Sequence, residues 1–196
     1  MADSANSAIA GYIRENPGAI SRAELESVVR GMLVGLTGLA EELVRPLYRH
    51  EPAEDPPPPV NWCAFDIRGE NGRNFPEVRH ISSGDGHDKV ISQDDKEIYL
   101  RFWGPQADDL AGLVRRGLHI EQNRFPMRQA GIAVRSVGAE TPTAELEGGK
   151  WLRRVELSIR VTLESIGVYD VFNLVRAVGS IVAGDGNTEF DTNNKG

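Results

Sequence analysis

Cysteine is almost absent from this sequence: Cys63 stands alone, so no intramolecular disulfide framework holds the fold and a reducing compartment suits it. Long apolar runs are absent too, none approaching the roughly 20 residues of a membrane-spanning helix, and the first residues lack the charged-then-apolar pattern of a secretory signal. Synthesis in the cytoplasm is the expectation. Positive charge is short: 22 basic against 29 acidic residues give a formal charge of -7, with the signs interspersed, which argues against a surface that grips nucleic acid. Motifs of chemistry are missing as well. No serine is framed as Gly-x-Ser-x-Gly, no Gly-x-x-x-x-Gly-Lys phosphate loop occurs, and Gly69-Glu70-Asn71-Gly72 reads as a tight reversal rather than a dinucleotide fingerprint.

What is present is a clear strand. From Val155 to Leu163 apolar residues (Val155, Leu157, Ile159, Val161, Leu163) alternate with polar ones, the period of a strand with one buried face. Such a strand needs partners and a helical cover, because a lone ribbon excludes too little water. The first cover follows Ser21, which with Glu24 forms a capping box; Leu25, Val28, Val29, Met32, Leu33 and Leu36 then draw one helical stripe, stopped by Gly38. A second helix is launched at Gly104-Pro105, with proline at its first position, and buries Ala107, Leu110, Ala111, Val114 and Leu118.

Between the helices the sequence reads as strands: an edge strand within Leu43–Tyr48, a central one at Val60–Arg68, another at Pro76–Ser82, and Lys89–Ser92 with Glu97–Trp103 as two strands or one long bent one. The run EPAEDPPPP at 51–59 is a stiff surface spacer. A loop with Pro126, a strand at Gly131–Val137 and a polar segment through Gly148-Gly149 come after the second helix. Residues 170–183 mix a helical spacing with a β-branched, glycine-interrupted pattern and stay open between the two. The expected fold is α+β, a mixed, largely antiparallel sheet flanked by two amphipathic helices. Residues 21–183 form its single domain, 1–20 a flexible arm, and 184–196 a polar tail without structure of its own.

Candidate sites are few. His80, Asp85, His87 and Asp88 lie close enough in sequence to hold a divalent ion, but their spacing matches no established ligand pattern, and Ser-Ser-Gly-Asp-Gly is ordinary turn chemistry. The solvated loop is preferred. His50 and His119 stand apart, and Cys63, in an apolar stretch without a nearby histidine, reads as a small buried hydrophobe. Trp62, Tyr99 and Trp103 have the faces to stack bases, but aromatics at strand spacing are more commonly core or cross-strand pairs. No catalytic, cofactor or metal residue is therefore assigned, and the chain reads as a protein of contacts rather than an enzyme.

Several strings resemble the neck-terminator or tail-terminator family of long-tailed bacteriophages. They are the helix Glu24–Leu36, the spacer running into Val60-Asn61-Trp62-Cys63-Ala64, the junction from Tyr99 to Asp108 with its Trp103-Gly104-Pro105-Gln106-Ala107, and the strand Val155–Leu163. The resemblance covers roughly residues 21–169 and leaves out both ends of the chain. It implies a virion structural protein that caps the tail tube as a ring, commonly a hexamer, and joins it to the head-side connector, with no cofactor and no catalytic residue to carry over. Packaged DNA would pass an acidic lumen without specific binding. A head-side adaptor is the neighbouring reading, and a small metal-dependent hydrolase built on His80 and His87 is the one from another class. Gly69, Glu70, Asn71, Gly72, Gly84, Asp85 and Gly86 are the loop positions expected to meet protein partners.

Overall fold

The computed structural model describes residues 3–4, 7–8, 11–16, 20–48, 54–69, 75–147, 149–174, 176–183 and 186–193. In chain order the elements are β1 (Asp3–Ser4), β2 (Tyr12–Ile13), α1 (Arg22–Thr37), β3 (Val44–Pro46), β4 (Trp62–Gly69), β5 (Glu77–Ile81) and β6 (His87–Trp103). There follow α2 (Ala107–Gly117), α3 (Glu121–Gln129), β7 (Ile132–Val137), β8 (Thr141–Glu147), β9 (Lys150–Tyr169), β10 (Arg176–Ala183) and β11 (Gly186–Asn193). They fall into two compact units, one of residues 19–76 and 92–165, the other of 1–18, 77–91 and 166–196, with β6 and β9 running from one into the other.

The central sheet has the order β3-β4-β6-β9-β7, with β5 also paired to β6 and β8 to β9. Within it β3 pairs with β4 in parallel, and β4–β6, β5–β6, β7–β9 and β8–β9 are antiparallel. The α+β architecture is as the sequence indicates. In the larger unit one sheet face carries Cys63, Phe65, Ile67, Ile98, Leu100, Phe102 and the alternating residues Val155 to Leu163, all buried. Leu25, Val29, Met32 and Leu33 of α1 and Leu110, Ala111 and Val114 of α2 close over that face in a single core. The capping box forms as read: Ser21 accepts from the Glu24 amide at 3.2 Å, and the Glu24 carboxylate accepts from the Ser21 amide at 2.8 Å. Gly38 ends the helix at φ 71°.

Three sequence readings change, and one that the sequence leaves open is resolved. The Pro126 segment is not a loop but the third helix, α3: its own Met127 is fully buried in the core, which anchors the helix although proline forfeits one backbone bond, and Glu121 pairs with Arg124 and Arg128 on its exposed side. Pro105 does not open α2, which starts two residues later behind Gln106, because Gly104 and Pro105 are spent on the turn out of β6. The polar segment before Gly148 is strand β8, whose backbone pairs with β9 from Thr141↔Glu156 to Glu147↔Lys150; a strand facing water on one side needs little apolar content. Finally, Lys89–Ser92 and Glu97–Trp103 are one continuous strand, β6, the second of the two readings that the sequence leaves open.

In the smaller unit β1 pairs with β2 in parallel, and Asn16 bridges to Val168 of β9. Residues 170–174 are irregular, and β10 pairs antiparallel with β11, so the polar tail beyond Ala183 carries a strand where none is expected. A two-strand ladder satisfies backbone groups without asking the sequence for a core.

Candidate interaction surface

The face of the sheet turned away from the helices, within the larger unit, is built from the other half of each alternation. Register sets Trp62 opposite Trp103, Ala64 opposite Arg101 and Asp66 opposite Tyr99. The polar side chains on it satisfy one another. Tyr99 donates its hydroxyl to Glu156 at 2.6 Å, Arg154 reaches Glu156 at 2.9 Å and Glu145 at 3.0 Å, and the Trp103 indole donates to Glu145 at 3.0 Å. The Arg68 guanidinium lies 4.6 Å from the centre of the Tyr99 ring and 2.8 Å from Asp66. The hydrogen bond to the Glu156 carboxylate, with burial second, holds the Tyr99 hydroxyl above its usual range. Such a network rigidifies the sheet.

At the end of this face the Trp62 and Trp103 rings stack at 4.0 Å, the cross-strand pair that the sequence prefers over a base-stacking platform. They line a cavity of about 480 Å³ together with Pro56, Pro58, Pro59 and Trp151. All three tryptophans of the chain meet there. Trp151 and its partner across the β8–β9 pairing, Leu146, are 71% and 59% exposed, so the rim is apolar surface left to water. The proline spacer forms one wall of that cavity, which the composition of residues 51–59 alone could not show.

The other sequence candidates are dispersed. Cys63 is a buried free thiol, and burial pushes its ionisation up, which makes it the inert hydrophobe expected. Gly84, Asp85 and Gly86 sit in the turn between β5 and β6, with Gly84 and Gly86 at φ 64° and 93°. Gly69 ends β4; Glu70, Asn71 and Gly72 lie outside the described residues, as does His50. His80 does not join His87 around a common point: its Nδ1 faces Asp88 at 2.7 Å and its Nε2 faces Asn173 at 2.8 Å. Among the described residues no three metal-ligating side chains converge. Asn173 is the residue that the sequence gives no reason to single out, since its partners lie about ninety positions away and no local pattern marks it.

Residues 23–192 match the family of phage neck terminator proteins. The chain belongs to that family. The match runs beyond the stretch that the sequence strings cover and takes in β10 and all but the last residue of β11. No curated protein matches the chain. The family places this neck terminator in the tail and neck region of the virion, as a structural protein among other virion proteins.

Proposed function

We propose that this neck terminator forms a ring, six copies being the expected number, that caps the finished tail tube and joins it to the head-side connector. The observation that carries the reading is the family match across nearly the whole chain, 23–192. Two features of the fold support it. The tryptophan-lined cavity with its exposed rim at Leu146 and Trp151 is apolar surface that a neighbouring subunit would cover, and the network around Glu156 gives the sheet a stiff, prearranged face. The turn at Gly84-Asp85-Gly86 and the stretch Gly69-Glu70-Asn71-Gly72 serve as docking loops towards the tube or the connector. The acidic balance lets packaged DNA pass the lumen without adhering, since carboxylates repel phosphate. The chain acts without cofactor or catalysis, and it is made in the host cytoplasm before joining the virion.

The test is to add the purified protein to tail-tube subunits as they polymerise. A terminator stops tube growth and remains at one end, seen by electron microscopy. A protein that binds the isolated head-side connector and leaves tube length unchanged is an adaptor instead.

A further inference from the structure

The turn between β5 and β6 is closed by Asn173, from the stretch between β9 and β10. Its backbone amide donates to the Asp85 carbonyl at 2.8 Å, and its Nδ2 donates to the carbonyls of Ser82 and Gly84 at 3.0 and 3.1 Å. Gly86 leaves the room for this, because a Cβ there would lie 2.8 Å from the Asn173 amide nitrogen. With both side-chain protons committed to carbonyls the amide cannot turn round, so its Oδ1, 2.8 Å from His80 Nε2, can only accept. The other ring nitrogen, Nδ1, faces a second acceptor, the Asp88 carboxylate at 2.7 Å. A histidine with acceptors at both nitrogens is satisfied only as the imidazolium.

We infer that His80 is a protonation-controlled latch: as the imidazolium it adds a fourth bond that tightens the hold of the β5–β6 turn on the segment Val171–Leu174, and as the neutral ring it loosens that hold. When one proton leaves, the other stays at Nδ1, because the charged Asp88 carboxylate is the stronger acceptor. Nε2 then presents a lone pair to the Asn173 oxygen, and the contact turns repulsive. The charged groups on the elements around the ring favour the closed state. Glu77 and Arg79 on β5 pair with each other, β6 adds Asp88, His87 and Lys89, the turn adds Asp85, and the latched segment is preceded by Asp170, itself bonded to Asn16. Acidic groups dominate, which suits a cation at His80.

The bonds to Asn173 and then to Asp88 hold the His80 ionisation above the ordinary histidine value. The sign follows. The latch is fully closed below the ordinary value and is lost as pH rises through the raised one. The latch is independent of oligomer formation, and it gives the turn at Gly84–Gly86 two states that differ in how firmly Asn173 is held.

Nuclear magnetic resonance of the full chain tests this by following the histidine rings from about pH 5 to about pH 9, together with hydrogen exchange of the Asn173 amide, corrected for its intrinsic rate at each pH. The expected result is a His80 ring that stays protonated at both nitrogens to a pH above the ordinary histidine value. Asn173 protection should fall about two- to tenfold as that ring titrates, the worth of one hydrogen bond. Asn173→Ala should return His80 towards ordinary titration, and His80→Gln should make Asn173 protection independent of pH in that range. A His80 that titrates at the ordinary value in the unaltered chain, or an Asn173 amide whose protection ignores the titration, overturns the latch.

Discussion

Trp62 and Trp103 face each other across β4 and β6 with their rings 4.0 Å apart and 4° from parallel. Trp62 is only 6% exposed, so the pair is a buried structural contact at the cavity wall as well as surface. Trp62→Ala should cost about 3–5 kcal/mol in urea unfolding, since a large aromatic is removed from a packed site. A double-mutant cycle with Trp103→Ala should return a coupling of about 0.5–1.5 kcal/mol for the stack itself.

The start of α1 is held by reciprocal bonds between Ser21 and Glu24. Ser21→Ala should lower stability by about 1 kcal/mol. The bonds from Ser21 hold the Glu24 carboxyl below its ordinary value. Its contribution is therefore present above the ordinary glutamate value and is lost as pH falls through the lowered one. Unfolding measured across acid pH should show both the wild type and Ser21→Ala losing stability as Glu24 protonates, because alanine keeps the backbone amide that makes the larger bond, with the gap between them narrowing only by the bond from the Ser21 hydroxyl.

Gly104 turns the chain from β6 towards α2 at φ 99°, and a Cβ there would lie 2.7 Å from the Val60 carbonyl oxygen and from the Asn61 Cα, besides meeting Asn61 Oδ1. Backbone atoms cannot step aside as a flexible side chain can. Gly104→Ala should destabilise by about 1–3 kcal/mol and disturb the bond from the Gln106 amide to Asn61, while Gly31→Ala, in open space on α1, should not. Thermal unfolding of the two variants side by side decides it.

Cys63 is sealed in the core beneath α1 and α2, with burial pushing its ionisation up. An aromatic disulfide reagent should leave it untouched in the folded protein and label it fully in denaturant. Labelling without denaturant, at the rate of a free thiol, would contradict the packing described.

The elements legible in the sequence are those whose burial repeats locally. The stripe of α1, the stripe of α2 and the alternations at Ile98–Phe102 and Val155–Leu163 each announce a face, and the fold buries each of them. What escaped depends on partners far away in the chain. Helix α3 forms around one buried residue, Met127, in a polar stretch where Pro126 points the other way. Strand β8 has its reason in the neighbouring β9, and Asn173 has its reason in the turn of Ser82–Gly86. The cavity is partly legible: Trp62 and Trp103 are, with Tyr99, aromatics that the sequence reads as core or cross-strand contacts, but nothing in residues 51–59 or in Trp151 shows that they share one wall. The metal reading of His80, Asp85, His87 and Asp88 rested on closeness in sequence alone, and the fold spends both nitrogens of His80 on oxygens instead.

The central claim is that copies of this neck terminator close into a ring on the tail tube. The most direct measurement is the absolute mass of the purified protein by light scattering over a concentration series, alone and with tail tubes, with electron microscopy of any large species. The account predicts a discrete ring-shaped oligomer, formed in solution or on the tube end. A strict monomer at every concentration that also ignores tail tubes would contradict it.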